Sequence, residues 1–233
     1  MRLARWATWG VAAGGAAVVA APLGYRIGIA PLGPAFLLLA VGLLVIAVSA
    51  GVLGARMARG RGRPDRAALA ALVVAVAVGA VPLSAFVRGW GAPPIHDVTT
   101  DTDDPPTFVA AVSLNAPGRT DYEGPRLAER QRAAYPDLRP AVLAVEPTAA
   151  FRRTLAAVRR MGWELLAADP DAFRIEATDR SFWFGFEDDV AIRITRSGGG
   201  SRVDVRSLSR VGVADLGANA RRVREFVAVL NEG

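Results

Sequence analysis

Three uninterrupted apolar stretches, residues 6–25, 35–55 and 67–87, carry no charged side chain, and residues 91–233 contain nothing comparable. A transmembrane helix needs about 20 mostly apolar residues to cover roughly 30 Å of hydrocarbon, and each stretch meets that length. The chain therefore divides into a membrane region, residues 1–91, whose partner is a lipid bilayer crossed three times, and one soluble domain, residues 92–233.

Charge follows the same division. Residues 1–90 hold nine Arg and one acid, whereas residues 91–233 hold nineteen Arg and twenty-one acids, so the high pI belongs to the membrane loops. The soluble domain is mildly acidic and offers no basic stripe, which argues against nucleic acid as a partner. All 28 basic residues are Arg, and Ala, Gly and Val are abundant, a composition expected of a GC-rich bacterial genome. Absence of cysteine excludes disulfides and thiol nucleophiles. A single histidine, His96, removes most zinc and His-dependent hydrolase architectures, so neither a metal nor a cofactor is expected.

Arginines collect in short cytoplasmic loops. The connection 56–66 carries five Arg against one Asp and is expected in the cytoplasm with Arg2 and Arg5. Three crossings then place residues 92–233 on the periplasmic side of a bacterial inner membrane. A cleaved signal peptide is the competing reading of the first span, with Ala20 and Ala21 at the cleavage site; it leaves the export of the domain unchanged. In the second span, Ala47 with Gly51 and Ala50 with Gly54 either form a helix-packing seam or reflect an Ala/Gly-rich composition. No span contains an ionisable residue, which argues against transport or proton relay.

Beyond Ala92-Pro93-Pro94, which proline keeps out of helix, residues 95–106 read as one strand followed by Asp-rich turns. An EF-hand starting at Asp101 fails, because Pro106 stands where Gly is needed and Val112 where Glu is needed. A short helix is expected over 126–134. Another starts at Pro147-Thr148, with Thr148 as a cap and Phe151, Leu155 and Val158 on one face. Strands over 163–168 and 172–178 flank Asp169-Pro170-Asp171, and strands over 190–196 and 202–208 flank a Gly-rich turn. Residues 215–230 close the chain as an amphipathic helix. This order predicts an α+β domain, an antiparallel sheet with helices on one face, following three transmembrane α-helices.

Three separated segments, Ile95-His96-Asp97-Val98-Thr99-Thr100-Asp101 with its Asp-Pro-Pro, residues 131–137 (QRAAYPD) and residues 209–220 (SRVGVADLGANA), resemble the bacterial domain of unknown function 1499. The resemblance covers about 93–230 and implies a domain identity, often behind amino-terminal hydrophobic segments, without implying a mechanism.

For catalysis, His96 is the one available histidine base, and on a strand Asp97 would point to the opposite face. Paired carboxylates among Asp101, Asp103, Glu187, Asp188 and Asp189 are the other candidates, against the plainer reading of solvated acids. Residues 181–186 (SFWFGF) put Phe182, Phe184 and Phe186 on one face of a strand and Trp183 on the other, where it could contact lipid or a partner. Arg206 and Arg210 could recognise a carboxylate or phosphate, or form surface ion pairs. His96, Asp97 and Asp101 are expected to lie near Arg206, Arg210, Asp215 and Asn219 as one polar cluster, although Asp215 also suits a helix cap. The resulting expectation is a noncatalytic binding or accessory module with an envelope protein or lipid partner. The alternative is an envelope hydrolase or lyase using carboxylates.

Overall fold

The computed structural model describes residues 2–59 and 66–232. Most of the basic connection expected in the cytoplasm, residues 60–65, lies outside the described residues. The chain forms two compact units, residues 1–87 with 182–185, and residues 88–181 with 186–233.

The first unit contains three long helices, α1 (Arg2–Arg26), α2 (Leu32–Ala58) and α3 (Arg66–Arg88). All three are long and apolar enough to cross a membrane. Helices α1 and α2 pack through glycine: a Cβ at Gly14 would lie 2.7 Å from Gly42 O, and one at Gly42 would lie 2.9 Å from Gly14 O. Gly10, one turn before Gly14, leaves room for the Ser49 side chain. The seam is thus Gly10-x-x-x-Gly14 against Gly42, since Gly51 and Gly54 have open space where a Cβ would stand.

The second unit is an α+β domain. In chain order it contains β1 (Asp97–Thr99), a single 3₁₀ turn (Ala111–Leu114), α4 (Pro125–Ala134), β2 (Ala141–Leu143), α5 (Pro147–Arg160), β3 (Glu164–Asp169), β4 (Arg174–Arg180), β5 (Glu187–Ser197), β6 (Gly200–Ser209) and α6 (Ala218–Glu232). Every pairing is antiparallel, in the order β1-β6-β5-β4-β3, with β2 beside β1 on the same edge of β6. Asp169 Oδ1 accepts the N–H groups of Asp171 and Ala172 and closes the β3–β4 turn, the Asx chemistry that favours Asp there.

Strand alternation sends Ile175, Ala177, Val190, Ile192, Ile194, Val203 and Val205 to one face, where they meet Ala150, Ala157 and Val158 of α5 and Ala220, Val223, Phe226 and Leu230 of α6. Trp163 stacks on Phe226 with ring centroids 5.2 Å apart. Two details depart from the sequence reading. Helix α5 has Glu146 at its N-cap and no side-chain cap bond, so Thr148 lies inside the helix; Pro147 at the first helical position removes one orphan donor instead. Residues 181–186 are the β4–β5 connection, with Gly185 at φ +70°, so the aromatic run does not form a strand with alternating faces.

The second sheet face is covered by residues 100–122. Phe108 and Ala111 pack on Ala191 and Leu208 there. Both faces of β5 and β6 are therefore buried, and most residues of β6 are inaccessible to solvent.

Candidate functional site

On the helix-covered face, the apolar stripe of β6 runs out after Val205, and the next two inward residues are Ser207 and Ser209. Asn219, in the first turn of α6, meets them. Ser207 Oγ donates to Asn219 Oδ1 (2.6 Å), and Asn219 Nδ2 donates to Ser209 Oγ (2.9 Å) and to the backbone oxygen of His96 (3.0 Å). Arg222, three residues later on the same helix face, donates to Ser207 Oγ, to Asn219 Oδ1, to Asp188 Oδ2 (2.6 Å) and to Asp179 Oδ2 (2.8 Å). Burial works to lower the Arg222 pKa, but Asp188 and Asp179 outweigh it and hold it above its ordinary value. Asp215 caps α6, accepting the N–H groups of Gly217 (2.7 Å) and Asn219 (2.6 Å). Burial nevertheless pushes the Asp215 carboxyl up, because the two N–H bonds compensate only part of the lost hydration.

This network reaches solvent through Asp179 and Arg222. They line a cleft of about 290 Å³ with Met161, Trp163, Ala218, Arg221 and Glu225. Its volume lies just under the range typical of small-molecule sites.

The opposite face is ionic. Asp97 on β1 stands beside Arg206 on β6, both almost completely buried. Arg206 Nε and Nη2 donate to the carboxylate (3.0 and 2.7 Å), Nη1 to Pro106 O (3.3 Å) and Nη2 also to Thr120 O (2.9 Å). The guanidinium lies 4.9 Å from the Phe108 ring centroid and 5.3 Å from that of Tyr122, within cation–π range of both. Burial pushes the Asp97 carboxyl up from its ordinary value, and Arg206 opposes that rise. Burial also pushes the Tyr122 phenol up to about 12, with the Asp97 charge adding to the effect.

Further along this face, Arg210 pairs with Glu187 and Asp189 and reaches Thr178 Oγ1 (3.0 Å); the Asp189 hydrogen bonds raise its pKa. Asp101 accepts from Arg202 (2.7 Å) and lies 3.5 Å from Arg193. Glu176, also buried, accepts the N–H groups of Val109, Ala110 and Ala111 and so holds the start of the 3₁₀ turn. These are charge-assisted bonds to donors that the turn itself leaves unpaired.

The two stretches carrying the candidate residues run side by side, with His96 O accepting the Ser209 N–H at 2.9 Å, but their side chains pair in separate groups. Asp97 meets Arg206; Asp101 meets Arg202 and Arg193; Arg210 meets Asp189 and Glu187; Asp215 and Asn219 meet on the other face of the sheet. His96 joins Asn219 through its backbone, while its ring lies 3.7 Å from Glu123. Burial, then the nearby Arg119, lower the His96 pKa, and outweigh Asp97, Glu123 and Asp215, which raise it. Trp183, within the first unit, is partly buried against the apolar helix cluster, whereas Phe182 is 92% exposed. Sequence reasoning missed Glu176, Arg119, Arg222 and Gln131, whose buried amide accepts the Thr99 N–H (2.9 Å) and donates to Thr99 O (2.6 Å). Glu176 was within reach: strand alternation in β4 puts it on the same face as Thr178, opposite Ala191.

A family model described as Protein of unknown function (DUF1499) matches residues 97–230. The chain belongs to the DUF1499 family. The matched span runs from the first residue of β1 almost to the end of α6, so the DUF1499 region contains both polar networks. No curated protein matches the chain.

Proposed function

We propose that this DUF1499 protein is a membrane-anchored module of the bacterial cell envelope, with its α+β domain on the periplasmic side of the inner membrane, and that it works by binding a protein or lipid partner rather than by catalysis. The observation that carries this reading is the state of the carboxylates. General acid/base chemistry needs an acid within reach of a substrate proton. Asp101, Asp103, Glu187, Asp188 and Asp189 instead accept hydrogen bonds from Arg202, Arg132, Arg210 and Arg222. Of these, Asp188 and Asp189 are buried in their ion pairs and hold the fold, which supports a reading in which the surface provides recognition.

Two experiments test the two halves of the proposal. Compartment-sensitive reporters fused after residues 60 and 150 are expected to signal cytoplasm and periplasm respectively; a cytoplasmic signal after residue 150 overturns the topology. Photo-activatable residues at Arg221 and Glu225, beside the cleft, are expected to give discrete adducts in cells expressing the full chain. Turnover of an envelope substrate by the purified protein, lost in Asp101→Asn or Glu187→Gln variants that remain folded, would replace binding with the hydrolase or lyase reading.

A further inference from the structure

The connection from β6 to α6 is apolar and exposed where a loop is expected to be polar. Val213 is 75% exposed, with Val211 and Leu216 also exposed, and Trp90 on the neighbouring segment is 75% exposed. Four large apolar side chains on adjoining segments are thus half to largely exposed, and clustered exposed apolar side chains mark interaction surfaces.

Contacts within the second unit say where this loop lies. A Cβ at Gly89 would stand 3.0 Å from Leu216 O and 3.1 Å from Leu216 Cα, and one at Gly217 would stand 3.6 Å from Ala92 Cβ. Asp215 N–H donates to Ile95 O at 3.3 Å. Residues 215–217 therefore run beside residues 89–95. Gly89 follows Arg88, the last residue of α3, by one peptide bond, a Cα step of about 3.8 Å. The loop is thus tied to the point at which the third apolar helix ends.

Three carbonyls of the loop are held by arginine side chains. Arg119 donates to Ser209 O and to Gly212 O, and Arg221 donates to Leu216 O. Leu216 holds φ +54°, a left-handed conformation that is unfavourable for a branched side chain. Strain of this kind persists where the surroundings impose it and clusters at functional segments. Three carbonyls tied to arginine and apolar side chains left exposed suit an interfacial segment, because unpaired backbone groups are costly near hydrocarbon. Trp is favoured at the headgroup level for its amphipathic ring.

We propose that Trp90, Val211, Val213 and Leu216 form an interfacial loop that inserts into the headgroup region of the bilayer leaflet at which α3 ends. The proposal rests on α3 spanning a bilayer. It gives the domain a second hold on the membrane and fixes which of its surfaces face away from lipid and toward a partner.

The chain contains no cysteine, so single Val213→Cys, Val142→Cys and Leu83→Cys variants of the full protein can each carry one environment-sensitive fluorophore. Val142 is exposed and pairs with Arg202, seven residues along β6 from Ser209 and so roughly 23 Å away. In vesicles of phosphatidylethanolamine and phosphatidylglycerol at 3:1, a nitroxide-bearing lipid is expected to quench the label at 213 at least threefold more than the label at 142. Iodide on both sides of the membrane should give the reverse order. A label at 213 that behaves like the one at 142 overturns the loop, provided the label at 83 is quenched by lipid. Shielding at 213 from both quenchers also overturns it, since protein and not lipid then covers the patch. A label at 83 that lipid fails to quench removes the anchoring itself, and the proposal with it.

Discussion

Arg206 heads the largest fully buried side chains among the described residues, and Asp97 is the carboxylate that neutralises it. Removing one partner of a buried pair leaves an uncompensated charge in a poor solvent for it, at a cost of about 3–5 kcal/mol. Arg206→Ala and Asp97→Ala are each expected to lower stability by that amount in urea unfolding of the full chain followed by tryptophan fluorescence. The double variant Asp97→Leu with Arg206→Met should recover part of the loss, because no charge then remains in the site, although Pro106 O and Thr120 O lose their donor. His96 supplies a pH test. Its folded pKa lies below the ordinary 6.5, so the unfolded chain takes up the proton first as pH falls. The stabilising contribution is therefore complete above 6.5 and is lost as pH falls toward the folded value. Thermal stability should decline as pH falls from 7 toward the folded value, and His96→Gln should flatten that slope; an unchanged slope would remove His96 as its cause, since the raised carboxyls of Asp97 and Asp215 act in the opposite sense and gain stability as pH falls. The types of these residues were visible in the sequence, but their partners were not. Asp97 and Arg206 are 109 positions apart, and no local pattern assigns Asp101 to Arg202 rather than to Arg206.

At the level of elements, regular alternation made the long strands and the final helix legible, while brevity hid others. Strands β1 and β2 have three residues each, too few for a period to show, yet both pair with β6 and define one edge of the sheet. The second covered face was hidden for a different reason: beside Ala191 and Leu208 it carries Glu176, Asp189, Arg206 and Arg210, and charged residues at alternate positions read as solvent-facing. Glu176→Ala is expected to release residues 109–111, which hydrogen exchange would register as faster exchange of those three amides, with a stability loss of about 3 kcal/mol from stranded donors. Unchanged protection there would show that Phe108 and Ala111 packing holds the turn without the carboxylate. In the apolar unit, the Gly10-x-x-x-Gly14 spacing was the usable signal for helix pairing. A Val side chain at position 14 has no room beside Gly42. Gly14→Val should therefore separate α1 from α2 and lower the detergent melting temperature, whereas Gly51→Val, in open space, should not.

For the whole molecule, the charge-free runs mark out the three apolar helices, but not the short segment 182–185 that groups with them; we expect residues 92–233 to fold without those helices. The main core draws on residues from Ile95 to Leu230 only, and every strand of the sheet finds its partners inside the same span. The long-range ion pairs Asp97–Arg206, Asp188–Arg222 and Asp137–Arg224 also close within it. A core of this kind in about 140 residues is large enough for independent folding, with net stability of about 5–15 kcal/mol. Residues 92–233 expressed alone are therefore expected to unfold in one cooperative transition, with near-UV circular dichroism and far-UV signal lost together. If secondary structure survives while the near-UV signal is already absent, side-chain packing depends on the apolar helices, and the anchor is part of the fold rather than an attachment to it.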